Sequence, residues 1–108
     1  MAGNFFESYV FAEIYKSYLN AGKVPPVYYY RDTSKKEIDL LIYSDNTLQP
    51  IEVKKSASPD KSAVKNFSVL HLKESGDFPD VSYGAVVCLS DDLLPLDERN
   101  WIVPAWLI

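Results

Sequence analysis

The chain has 108 residues, 47% hydrophobic and 14% aromatic, enough apolar material for one core, which excludes a disordered segment. Its net charge of −4 excludes a protein that coats nucleic acid through bulk positive charge, but not an enzyme whose carboxylates hold cations. The single cysteine excludes a disulfide framework and no apolar run approaches the ~18 to 20 residues of a membrane span, so one soluble domain over 1–108 in a reducing, cytoplasmic setting is expected.

The first predicted element is a helix from Asn4 to Asn20, with Asn4 as N-cap, Phe6, Val10, Ile14 and Tyr18 four residues apart, and Ala21-Gly22 as its stop. After Pro25-Pro26, Val27 to Arg31 reads as a strand, Asp32 to Lys35 as a turn and Glu37 to Tyr43 as a second strand. Ser44-Asp45-Asn46 is a tight turn into a third strand, Thr47 to Lys55, whose first half Pro50 makes irregular. Ser58-Pro59-Asp60 announces a second helix that runs to about Leu72 through Val64, Phe67 and Leu70, closed by Ser75-Gly76-Asp77. Ser82 to Leu89 is an apolar strand of the kind buried on both faces, with Cys88 a packing residue inside it, and Ile102 to Ile108 is a last edge element. The order is αβββαβ with a tail, an α/β pattern.

Strand alternation carries this order to chemistry. It groups Ile38, Leu40 and Ile42 as a core set with Asp39 on the opposite face, and it puts Glu52 and Lys54 on one face with Ile51 and Val53 on the other. A hairpin joining the two strands brings Asp39, Glu52 and Lys54 together. Two carboxylates supply hard oxygen ligands for Mg²⁺, and an ammonium beside them can orient a water or stabilise developing phosphate charge. Glu-x-Lys alone is often only a surface ion pair worth ~0–1 kcal/mol. What raises its interest is the setting, because a carboxylate inside an apolar strand is costly unless paired or metal-bound.

On the first helix, Glu7 falls between Ile14 and Tyr18 on the apolar face, while Glu13 turns toward Lys16 and Asn20. Glu7 is thus the candidate for a further role at the site, with a capping box from Asn4 to Glu7 as the competing explanation. Lys54, Lys55, Lys61, Lys65 and Lys73 fall in a stretch whose only carboxylate is Asp60, so the middle of the chain can face phosphates. His71 has no second His or Cys placed to complete a zinc site and reads as a solvated helix-end residue. Tyr28, Tyr29 and Tyr30 suit cross-strand packing or base stacking, and Trp101 and Trp106 either complete the core or meet a neighbouring domain.

A helix carrying Gly3-x-x-x-Glu7, then a strand, Glu37-Ile38-Asp39, and Ile51-Glu52-Val53-Lys54 on the next strand resembles the PD-(D/E)xK superfamily of restriction endonucleases, Holliday-junction resolvases and RecB-type nucleases. The fuller string is similar to the uncharacterised nuclease-like domain at the C-terminus of prokaryotic AAA-type ATPases. That string comprises Gly-Asn-Phe-Phe-Glu (3–7), Tyr-Tyr-Arg-Asp (29–32), Lys-Glu-Ile-Asp-Leu-Leu-Ile (36–42), Ile-Glu-Val-Lys-Lys-Ser (51–56) and Val-Val-Cys-Leu (86–89). The resemblance implies a restriction-endonuclease-like core, a central mixed sheet flanked by helices. It implies Asp39 and Glu52 as ligands of Mg²⁺ or Mn²⁺, Lys54 as the residue assisting the attacking water, and Glu7 as support from the helix. It further implies DNA as substrate and an ATPase module of the parent chain as partner. Ile38 stands where the motif has proline, and with no Gly-x-x-x-x-Gly-Lys-Ser/Thr loop in the sequence the resemblance implies that the chain is the C-terminal part of a larger ATPase. The rival expectation is a non-catalytic DNA-binding or protein-docking module with the same fold.

Overall fold

The computed structural model describes residues 2–73 and 79–108, with side chains described for 5–70 and 79–108. Helix α1 spans Ala2–Asn20 and ends in a Schellman motif, in which Gly22 at φ 74° lets its own N–H reach Leu19 O and the Lys23 N–H reach Tyr18 O. Strands β1 (Val27–Arg31), β2 (Glu37–Ser44) and β3 (Thr47–Val53) form an antiparallel meander. The β2–β3 turn is the two-residue type whose central residues are both left-handed, Asp45 at φ 52° and Asn46 at φ 59°. A 3-10 helix (Lys61–Phe67) runs into α2 (Ser68–Lys73), and the chain then returns parallel to β3 as β4 (Asp80–Val81) and β5 (Gly84–Cys88). Strands β6 (Leu94–Pro95) and β7 (Asn100–Pro104) and a terminal 3-10 turn (Ala105–Leu107) follow. The result is an α/β fold on a mixed seven-stranded sheet ordered β1-β2-β3-β5-β7-β6, with β4 beside the start of β3.

Each sheet face has its own apolar layer. On one side Val64, Phe67 and Leu70 pack on Ile38, Leu41, Val81, Val86 and Cys88. On the other, Val10 and Ile14 of α1 pack on Leu40, Ile51, Val53, Ala85 and Val87. Strand β5 is buried along its whole length because it contributes to both layers, each full burial worth roughly 1.5–3 kcal/mol.

Four expectations are corrected. Helix α1 begins at Ala2, so Asn4 lies inside it rather than at its cap and Glu7 is not the partner of a capping box. The second helix begins as a 3-10 helix, capped by Asp60, whose carboxylate accepts the Ser62 N–H; Val64 and Phe67 are three residues apart, the spacing that 3-10 geometry eclipses on one face. The last strand starts at Asn100 and is not an edge, since β6 covers it. The core set of β2 is split: Ile38 packs with Leu41 on one face, and Leu40 with Ile42 on the other. The cause is a β-bulge, because Tyr28 pairs with Leu41 and Tyr30 with Ile38, leaving Asp39 and Leu40 together opposite Tyr29. The expected stop at Ser75-Gly76-Asp77 and the side chain of His71 lie outside the described residues.

Pro50 sits in β3 without disturbing its ladder to β2, where it pairs with Leu41. The Lys54 N–H donates to Val87 O on β5, so by alternation the nitrogen of Pro50 also faces that side, where pairing passes from β4 to β5 and no donor is required. Gly84 is needed for a different reason. A Cβ there would lie 2.6 Å from the Phe67 ring and closer still to the Asn100 side chain. Gly84→Ala is therefore expected to destabilise the domain by ~1–3 kcal/mol, read as a lower denaturation midpoint with an unchanged slope.

Candidate active site at the end of the β2–β3 seam

The backbone ladder joining β2 to β3 runs from the pair Ser44 and Thr47 to the pair Leu40 and Ile51. Beyond it, carboxylates take over from carbonyls. The Val53 N–H donates to Asp39 Oδ2 at 2.9 Å, and the Asp39 N–H donates to Glu52 Oε1 at 3.4 Å. Each side chain thus satisfies an amide of the other strand, which would otherwise cost ~1–3 kcal/mol as a buried orphan. The bulge at Asp39 is what moves it out of regular pairing and into the seam. Glu52 is only 6% exposed and lies opposite Val86 in the parallel ladder with β5.

This crowding has an electrostatic consequence. The Glu52 carboxyl is pushed up to about 8, first by burial, then by the hydrogen bond and negative charge of Asp39, with the Lys54 ammonium and the Asp39 N–H pulling the other way. The charged form of the buried Glu52 carboxyl is therefore disfavoured. Glu7, exposed on α1, is raised by partial burial, then by the charges of Asp39 and Glu37, against the lowering effect of Lys54. Its electrostatic neighbours are the residues of the seam. Glu13 instead pairs with Lys16 at 2.8 Å on the helix surface.

Lys54 is exposed at the mouth of the seam and, among the described residues, forms no ion pair; the described pairs are Glu13–Lys16 and Arg31–Glu37. Glu-x-Lys is thus not a closed surface ion pair here. Sequence reasoning did not connect Glu37 and Tyr29 to each other or to the seam. Glu37 pairs with Arg31 at 3.5 Å and raises the Tyr29 hydroxyl through a hydrogen bond, and Tyr29 stands opposite the bulge. The bulge is the missing signal, because alternation alone sends Tyr29 and Asp39 to unrelated positions. Cys88 packs in the core; Tyr28 is exposed, Tyr30 is half-buried with its hydroxyl on Asp32 Oδ2 at 3.2 Å, and Trp106 is 68% exposed.

Asp39 and Glu52 are the residues that could hold a hard cation. Among the described residues Glu52 forms no ion pair, and a dication beside it would offset the burial and the negative charge of Asp39 that raise it. Among the described residues no three Asp, Glu, His or Cys side chains gather closely enough to hold a metal.

A family model matches residues 2–108, nearly the whole chain, under the description Domain of unknown function (DUF4143). The chain belongs to that family. No curated protein and no solved structure matches this DUF4143 domain.

The raised Glu52 carboxyl makes stability pH-dependent. Its value in the folded protein, about 8, exceeds the ordinary 4.5, so its stabilising protonation is complete below about 4.5 and is lost as pH rises through 8. In EDTA the melting temperature is expected to fall by several degrees between about pH 5.5 and 8.5, and Glu52→Gln to flatten that fall. Parallel curves for the two proteins would assign the slope to another group.

Proposed function

We propose that this domain is a metal-dependent phosphodiesterase of the PD-(D/E)xK type acting on DNA, working beside the ATPase module of an AAA-type parent chain. The observation that carries the proposal is the pair of carboxylates, Asp39 and Glu52, meeting across the end of the β2–β3 seam with Glu52 buried and, among the described residues, in no ion pair. In this reading Asp39 and Glu52 hold Mg²⁺ or Mn²⁺, which when bound polarises a phosphate oxygen and acidifies a water. Lys54, exposed at the mouth, donates hydrogen bonds that orient the attacking water and balance negative charge as it develops on the phosphate. Glu7 acts from α1 as a positioning residue, its charge opposing that of Lys54 and steering the ammonium.

The test is purified protein with plasmid, linear and branched DNA in Mg²⁺ or Mn²⁺, read alongside calorimetric metal binding. Asp39→Asn is expected to lose affinity and cleavage together, and Lys54→Ala to lose cleavage ~10²-fold or more while still binding metal, since an ammonium is no ligand. Glu7→Gln should weaken metal binding and cleavage only several-fold. Cleavage that survives in Glu52→Ala would be contamination and would remove the proposal.

One observation favours a second reading. With no third metal-ligating side chain gathered among the described residues, and a net charge of −4, the domain can equally serve as a non-catalytic DNA-binding or docking module. Absence of cleavage on every substrate, both alone and with the ATPase module, would favour it.

A further inference from the structure

We infer that the groove between the end of β3 and the 3-10 helix binds a backbone phosphate of a polynucleotide strand beside the scissile one, with Lys65 as its principal contact. The inference takes its ligand class from the nuclease reading above. The groove, about 340 Å³, is lined by Lys54, Ser56, Ser58, Asp60, Ser62 and Lys65 among others. Lys54 links the two places: it lies one residue past the end of β3 and two past Glu52, and it lines the groove.

The donors and acceptors of the groove are unequal. Lys54 and Lys65 are exposed, without ion pairs among the described residues, and present six ammonium N–H donors between them. Ser56 Oγ accepts the Ser58 N–H at 3.1 Å, which leaves its own hydrogen free to donate outward, and the Ser58 hydroxyl has no described partner. Asp60 is the one carboxylate present. Its Oδ1 is occupied by the Ser62 N–H at 2.9 Å and by the Ser62 hydroxyl, which hold it well below the usual carboxylate range. What remains for a ligand is a set of donors and cations suited to a phosphate, with a single free carboxylate oxygen set against it.

Position explains why a chain of net charge −4 can still hold a polyanion. Lys65 also lines the adjoining cleft of about 530 Å³, where Lys61, Lys65 and Arg99 face two carboxylates, Asp97 and the exposed Glu98, so cations outnumber acids there by one. In that second cleft Asp97 is engaged by the Arg99 N–H at 2.8 Å and the Asn100 side chain at 2.9 Å. The potential a strand meets is set by this local track, and a negative remainder restricts binding to it. Contacts of this kind fix the register of the backbone without reading bases.

The experiment measures binding, not cleavage: anisotropy of a fluorescent single-stranded oligonucleotide in Ca²⁺ or EDTA, across a series of salt concentrations. The proteins are wild type, Lys65→Ala, Ser58→Ala and Lys23→Ala, the last an exposed lysine beyond α1 as control, each checked for an unchanged melting temperature. Lys65→Ala is expected to weaken binding about three- to ten-fold and to reduce the salt slope by about 0.7, one phosphate contact on a single strand. Ser58→Ala should weaken binding about two-fold with the slope kept, and Lys23→Ala should change neither. If wild type binds while Lys65→Ala and Lys23→Ala behave alike, the groove is not the site and the nuclease reading is untouched. If Lys65→Ala shows the loss but the wild type cleaves nothing, the groove stands and the domain is the non-catalytic module. A wild type that binds no oligonucleotide overturns the groove and removes DNA as the partner.

Discussion

The arrangement turns on an exchange of hydrogen-bond partners at one end of a β-hairpin, where Asp39 and Glu52 carboxylates accept the amides of Val53 and Asp39 in place of backbone carbonyls. Carbonyls would have kept the strands paired to their ends and left no room for chemistry. Carboxylates hold the seam while bringing charge to a sheet that is otherwise apolar on both faces. The two layers then work as anchors. Leu40, Ile51 and Val53 are held under α1, and Ile38 and Leu41 under the 3-10 helix and α2, so the acids lie between two packed surfaces. Rigid flanks of this kind give a site its geometry without help from loops.

The same packing explains why the local electrostatics are tense. Burial disfavours the charged form of Glu52, and Asp39 next to it disfavours it again, yet neither can leave without orphaning an amide of the opposite strand. The fold therefore keeps a buried acid beside a second carboxylate, an arrangement that disfavours its charged form. The seam and the candidate site draw on the same atoms. Substitution at Asp39 thus has two effects, on the seam and on the charge, and Asn serves better than Ala because its side-chain carbonyl can still accept from Val53.

Much of this was legible in the residues. Strands β1, β2, β3 and β5, the turn at Asp45-Asn46 and the meeting of Asp39 with Glu52 follow from short apolar runs separated by turn residues, whereas β4 at Asp80–Val81 is too short to show. The alternation of Ile51, Glu52, Val53 and Lys54 was read correctly because β3 is regular there. Strand β2 was misread at Ile38 because alternation counts residues and a bulge adds one; nothing in Ile-Asp-Leu-Leu-Ile marks an inserted position, which exists only relative to Tyr29 across the sheet. The 3-10 form of the second helix was equally hidden, since Val64, Phe67 and Leu70 suit either geometry and packing decides between them. Strand β6 escaped because Leu94–Pro95 is too short for any periodicity. The start of α1 was misplaced because Asn4 makes a good cap in isolation and cannot reveal that the turn before it is already helical.

The extra residue in β2 also bears on transplantation of such a site. A protein engineer who copied Asp39, Glu52 and Lys54 onto an ideal, evenly paired hairpin would reproduce the letters but not the place, for the aspartate would stand out from a sheet face and the Val53 amide would take a carbonyl instead. The portable unit is larger: the three side chains, the unmatched position at 39 and 40, and the tyrosine across from it. Deleting Leu40 would remove the unmatched position and pair Asp39 one-to-one with Tyr29, while Ile38 and Leu41 keep their shared face. A length change of one would thus alter the setting of Asp39 while leaving Asp39, Glu52 and Lys54 in the chain.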